Sequence, residues 1–338
     1  MRGGWFPTKR TDAATERSAA PRARWLRWLK SLIGLGVIGL SLRYVVLQVS
    51  RALAAAPLDT FNLDVRFVLA ALGLMVICLG LGAWSWRLVL LALGHPLPLS
   101  VCARIHTTAN LAKYIPGYAW QLLGKGYLTR REGVPTGVAA CAVAVEMGCL
   151  LLTDALVALL FMPRQAVIPY VGTLSTPLRL ILLGAALLLA GGLPPLLRWI
   201  AATKLAARLH WAAHVERLAP LWAALAVITL GWVLLSLSFS CILRALYPTL
   251  SLSGWLLGVY AFSLAFLVSF LVIFVPAGLG VRESALILIL GTQLPDSVIS
   301  VAVVLSRPVL IVSEVLGLAL AWAWFAPKRH NRSIAQKK

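Results

Sequence analysis

Apolar residues run through this chain in long blocks, separated by short basic or Pro-containing stretches. A helix rises about 1.5 Å per residue, so roughly 20 apolar residues cross the ~30 Å hydrocarbon core of a bilayer. The blocks at 31–50, 67–91, 135–162, 178–199, 219–246 and 298–325 meet that length and predict six full spans. Two further stretches break the pattern. The first, 97–133, is apolar but studded with Arg104, His106, Asn110, Lys113, Gln121, Lys125, Arg130 and Arg131, and it carries Pro116-Gly117. The second, 253–275, runs into Pro276-Ala277-Gly278-Leu279-Gly280 and a short apolar piece at 284–292. Pro removes an amide donor and Gly loosens a helix, so both read as interrupted helices.

These broken stretches recur in corresponding places. A span ending LALGHPLPLS (91–100), then KYIPG (113–117), Arg131-Glu132 and a span with Glu146 form one set. A span ending LRALYPTLSLS (243–253), then FVPAGLG (274–280), Arg282-Glu283 and a span with Arg307 form the other. The expected architecture is all-α and polytopic: about six full spans plus two broken re-entrant helical hairpins in an inverted repeat. Its halves lie at about 67–162 and 219–325, within a membrane domain at 31–326. Alternatively, 253–275 crosses fully and 282–292 returns as a short helix. Interrupted backbone at membrane depth is tolerated only inside protein or beside a wet cavity, so two matched breaks point to a central site.

Composition agrees with lipid as the main solvent. Hydrophobic residues make up 60% of the 338 and charged residues 12%, and mean hydropathy is +0.88. Ordinary globular chains are roughly 25% charged. The net charge of +20 raises the question of nucleic acid, but its distribution answers it. Arg2, Lys9, Arg10, Arg17, Arg22, Arg24, Arg27 and Lys30 fill a basic tail at 1–30. Lys328, Arg329, Arg332, Lys337 and Lys338 fill another at 327–338. Basic flanks mark the cytoplasmic side, so both termini are expected there, in a bacterial inner membrane, with no nucleic-acid partner. The basic stretches 92–133 and 200–217 then also fall inside. LAAAP (53–57) resembles a signal-peptidase site, but the basic region before it is long and Arg43 interrupts the apolar run. A retained span is expected, with Asp154 or Glu314 as partners for Arg43.

Charges within spans need a reason, because each costs roughly 2.5–3.5 kcal/mol on insertion scales. Glu146 and Asp154 share one helix face, as do Arg307 and Glu314. Glu146 and Arg307 hold matching places and are expected to approach each other, as a gate, a proton-coupled element or a structural ion pair. Glu283 belongs with this gating or coupling set. Lys113, Lys125, Arg282 and Arg307 lie near the breaks, where fixed cations and helix-end amides suit an anion such as phosphate. The five cysteines show no CxxC spacing, and no metal-ligand pattern, P-loop or Ser-His-Asp set appears. No metal, cofactor or enzymatic chemistry is expected. Asp59 and Asp64 form the one acidic pair in an outside loop.

The segments NLAKYIPGYAWQLLGKGYLTRREGV (110–134) and VPAGLGVRESALILILG (275–291), followed by Arg307, resemble the signature blocks of the lysylphosphatidylglycerol synthase transmembrane-region family, also called flippase-like domain proteins. The matching positions are Lys113, Pro116, Gly117, Gln121 and Gly124, then Pro276, Gly278, Gly280, Arg282, Glu283 and Arg307. The resemblance implies translocation of a lipid with a modified head group. Together with the cations near the breaks, of which Lys125 is one, it makes Lys113, Gln121, Lys125, Arg282 and Arg307 the candidate substrate-binding residues. The chain departs from relatives with a fused aminoacyl transferase, so lysyl-lipid synthesis is not expected. The primary expectation is a translocator of an anionic or head-group-modified lipid, either a phospholipid or a polyprenyl- or glycan-linked one. A cytoplasmic lipid-modifying or glycosyl transferase is a candidate partner. Two alternatives stand beside it: a glycosyl or acyl transferase using Asp59 and Asp64, and a non-transporting anchor for a synthase.

Overall fold

The computed structural model describes residues 63–114, 119–163, 167–168, 172–173, 176–201, 217–271, 280–291 and 293–324. All belong to one compact unit of the chain. The tails, the 31–50 span with Arg43, Asp59, and the breaks at Pro116-Gly117 and Pro276-Gly278 lie outside the described residues.

Helices dominate. In chain order they are α1 (Val65–Ala92), α2 (Leu99–Leu111), α3 (Ala119–Arg131), α4 (Thr136–Phe161), α5 (Thr176–Ala201), α6 (Ala219–Leu246), α7 (Leu252–Leu271), α8 (Val281–Leu290) and α9 (Asp296–Trp324). A 3-10 turn, Ala112–Tyr114, extends α2. Among the described residues, the one departure is a two-residue antiparallel pairing, β1 (Val167–Ile168) with β2 (Gly172–Thr173). Helices α1, α4, α5, α6, α7 and α9 are long and apolar enough to cross a membrane. The first broken stretch differs: α2 and α3 have 13 residues each, about 20 Å, too short to cross singly. In the second, α7 has 20 residues, about 30 Å, while α8 has only ten.

Helices α1 and α6 form the centre and run antiparallel. The amide of Asp64, at the start of α1, donates to the Ala245 carbonyl at the end of α6 (3.0 Å). At the other end, the Arg217 amide donates to Ala92 (3.4 Å). The remaining contacts pair off when α1–α4 are exchanged with α6–α9. Helix α1 packs on α2 and α6 on α7; α2 on α3 and α7 on α8; α3 on α4 and α8 on α9. Across the middle, α9 packs on α1 and α2, as α4 packs on α6 and α7. Helix α5 lies outside this scheme, against α4 and α6.

Small residues set the close approaches. Lipid tails are as apolar as leucine, so membrane helices associate through packing and interhelical hydrogen bonds. A Cβ on Gly258 would come within 2.5 Å of Ser240 Oγ, so only glycine lets α7 lie this close to α6. The seam carries hydroxyls: Ser240 donates to the Trp255 carbonyl (2.9 Å), and the Ser236 and Ser263 hydroxyls meet at 2.9 Å. Phe239, Phe262 and Phe266 pack as tilted pairs beside it.

Candidate functional site

Four polar stripes converge on one cavity of about 230 Å³. Each stripe follows helical spacing. Helix α2 and its 3-10 turn present His106, Asn110 and Lys113; α3 presents Gln121 and Lys125; α4 presents Glu146 and Asp154; α9 presents Arg307 and Glu314. Arg282, from the first turn of α8, completes the set. The rest of the wall is mostly apolar and aromatic, including Trp232, Phe262 and Phe266, with the hydroxyls of Ser85, Tyr114, Ser269 and Ser313 among them. Trp232 is fixed by its indole N–H, which donates to the Leu150 carbonyl (3.0 Å).

Most of the charge is matched. Lys125 reaches both oxygens of Glu146, at 2.6 and 2.5 Å, and His106 Nδ1 at 3.1 Å. An ammonium has three donors, so Lys125 is saturated. It also lies over the Trp86 ring, 4.2 Å from the centroid. Helix α1 makes room for His106 through Gly82, where a Cβ would fall 2.3 Å from His106 Nε2. Glu314 accepts from Lys113 and from the Tyr114 hydroxyl (2.8 Å), joining the turn after α2 to α9. Gln121 donates to Asn110 Oδ1 (2.6 Å), closing α2 onto α3.

Glu283 does two jobs. Gly280, with φ of 84°, is the N-cap of α8, and its amide donates to Glu283 Oε2 (2.7 Å). This is the reaching-back half of a capping box, on a backbone conformation that favours glycine. The other oxygen, Oε1, accepts from Arg307 Nε (2.8 Å) and from its terminal nitrogen. Arg282 is left with a longer contact of 3.6 Å to that same oxygen. Its guanidinium lies over the Phe262 ring at 5.5 Å, and its buried Nε has no partner. Asp154 is the converse case. It is 1% exposed, its Oδ1 has no hydrogen-bond partner, and its neighbour is the Ser263 hydroxyl.

The family model described as the lysylphosphatidylglycerol synthase TM region matches residues 27–317. The chain belongs to that family. A search of curated proteins returns no match. The matched region takes in every residue of the cavity, so this transmembrane-region domain carries the site in its own helices.

The domain brings together Lys113, Gln121, Lys125, Glu146, Asp154, Arg282, Arg307 and Glu314, all expected from sequence. Glu283 stands directly behind Arg307. Gly280 is the one expected break residue within the described range. One expectation is corrected. Glu146 and Arg307 are not partners: Glu146 is held by Lys125 of the preceding helix, and Arg307 by Glu283 of its own preceding helix. Glu314 is likewise held by Lys113. His106, Tyr114 and Trp86 were assigned no site role from sequence. For His106 the signal was present, since His106, Asn110 and Lys113 fall at i, i+4 and i+7. Among the described residues, no three His, Cys, Asp or Glu side chains stand together as a metal would need, and all five cysteines are free.

Proposed function

We propose that this chain moves an anionic lipid across a bacterial inner membrane, with the head-group phosphate received by Arg282 beside Arg307 and Lys113. One observation carries the reading. Four cations meet only three matched carboxylates around the cavity, and the cation without its own carboxylate, Arg282, is 3% exposed with an unpartnered Nε. A buried guanidinium without a full set of acceptors is costly, and a phosphate oxygen supplies a charge-assisted partner. Arg282 also lies in the first turn of α8, where helix-end amides favour an anion. The apolar remainder of the wall suits the start of an acyl or prenyl chain whose bulk stays in the bilayer.

The antiparallel α1–α6 pair and the exchangeable contacts support two oppositely inserted halves, which would open the cavity to each leaflet in turn. In this reading both termini lie on the cytoplasmic side, where the basic tails dock a lipid-modifying or glycosyl transferase. The domain itself acts as a carrier without chemistry. The transferase reading needs acidic residues in the loop before α1. Its Asp64 already caps α1 through the Arg66 amide (3.0 Å) and pairs with the Arg66 guanidinium.

The test is exchange of fluorescent phosphatidylglycerol between leaflets of proteoliposomes. Arg282→Ala is expected to slow exchange at least tenfold, and Arg282→Lys to recover part of it. Equal rates for wild type and Arg282→Ala would remove the site from the reading.

A further inference from the structure

We propose that Asp154 is a proton-binding site, and that its proton travels with the anionic lipid. The inference rests on the translocator reading above for the lipid, but its core is independent of it. Glu146, Glu283 and Glu314 each accept from a lysine or arginine, whereas Asp154 has none among the described residues. It lies 1% exposed, one oxygen without a partner and the other environment supplied by Ser263, whose hydroxyl is shared with Ser236. An isolated buried carboxylate costs far more than a buried carboxylic acid, so the site holds a proton unless a cation arrives.

Among the described residues, the surroundings leave no other charge to take that part. Helix α4 packs against α1, α3, α5, α6 and α7. The ionisable groups these contribute to the cavity are Cys78 from α1 and Lys125 from α3, with Glu146 on α4 itself; α6 and α7 contribute none, and α5 does not line it. Across the cavity stand His106, Lys113 and Tyr114 on α2 and its turn, Arg282 on α8, and Arg307 and Glu314 on α9. Lys125 is saturated by Glu146 and His106.

Charge then couples the two ligands. With Asp154 protonated, the four cations exceed the three glutamates by one, and a singly charged head group neutralises the cavity. With Asp154 ionised, the empty cavity is already neutral and the anion is an excess charge. Proton and lipid therefore favour each other's binding, and the loaded cavity carries no net charge across the bilayer. The step is a simple protonation: the carboxylate takes a proton on one leaflet side and releases it on the other.

Two measurements on the full chain test this. The first is the infrared carbonyl stretch of protonated carboxyl groups in lipid nanodiscs at neutral pH. A band present in wild type and absent in Asp154→Asn supports the site. An unchanged spectrum, or a band lost on adding sodium ions alone, overturns it. Ser263→Ala is expected to shift that band while keeping it, which serves if Asp154→Asn folds poorly. The second imposes a pH difference across proteoliposomes holding fluorescent phosphatidylglycerol. One proton per lipid drives up to about a tenfold leaflet asymmetry per pH unit. Asp154→Asn is expected to exchange lipid yet build no asymmetry. Exchange in wild type without asymmetry overturns the coupling and leaves the translocator reading standing. No lipid movement at all sinks that reading and the coupling together, while the infrared band still decides whether Asp154 holds a proton.

Discussion

Lys125 and Glu146 show how a buried ion pair constrains substitution. Their side chains are 6% and 7% exposed, so removing either partner leaves an uncompensated charge. Such losses run to about 3–5 kcal/mol, whereas replacing both partners by apolar residues of similar size is often neutral. Glu146→Leu alone is therefore expected to lower the unfolding midpoint in nanodiscs sharply, and Lys125→Met with Glu146→Leu to restore most of it. A different outcome is expected at Asp64, at the start of α1, whose side chain is 25% exposed and whose partner Arg66 lies at the surface. The hydrogen bond from Arg66 holds its carboxyl below the usual value of 3.8. A depressed carboxyl stabilises the folded state above its unfolded value and loses that contribution as pH falls through the folded one. The first turn of α1 is thus expected to fray below about pH 4, seen as faster amide exchange at Val65–Val68, and Asp64→Asn should remove the pH dependence. The residue scale is also where sequence was least informative. The charged positions could be read from helical spacing, but not their partners. Lys125 precedes Glu146 by 21 residues and Glu283 precedes Arg307 by 24, so each pair spans adjacent helices of one half. Which cation a carboxylate meets depends on how α3 lies on α4, and α8 on α9, and no periodicity encodes that.

At the scale of elements, apolar length did carry over. The blocks 67–91, 135–162, 178–199, 219–246 and 298–325 appear as α1, α4, α5, α6 and α9 within a few residues. Helices α3 and α8 both start just after the Pro-Gly segments, which themselves lie outside the described residues. The close α6–α7 seam was less legible: GWLLG (254–258) is a small-residue motif at helical spacing, but its partner Ser240 follows only from packing. Gly258→Val is expected to force α7 off α6, at a cost of about 1–3 kcal/mol typical of overpacking. Retained helix content with a lower unfolding midpoint would bear that out, and an unchanged midpoint would show that Ser240 and Leu243 can give way. Gly82→Ala works on the site instead. It is expected to push the His106 ring away from Lys125 and slow lipid exchange with little loss of stability.

Across the whole molecule, the cavity depends on contacts between halves as much as within them. Glu314 of α9 is held by Lys113 and Tyr114 from the turn after α2. If the halves rock to alternate access, this link must open and reform. Cysteines at Lys113 and Glu314, joined by a short bismaleimide, are expected to stop lipid exchange; unhindered exchange with the link in place would show that this contact stays closed throughout.

The double duty of Glu283 has a consequence for affinity. An arginine already held by a carboxylate accepts a new anion only by substitution, so the incoming head group competes with a resident mimic of itself. On the translocator reading proposed above, Arg307 would keep Glu283 as its partner in the vacant carrier, leaving Arg282 as the cation that cargo must match. On that reading the hold on cargo would be weak and fast-exchanging, suited to throughput rather than storage. The same carboxylate anchors the Gly280 amide through its other oxygen, so a head group that displaced Arg307 would act on the start of α8 as well.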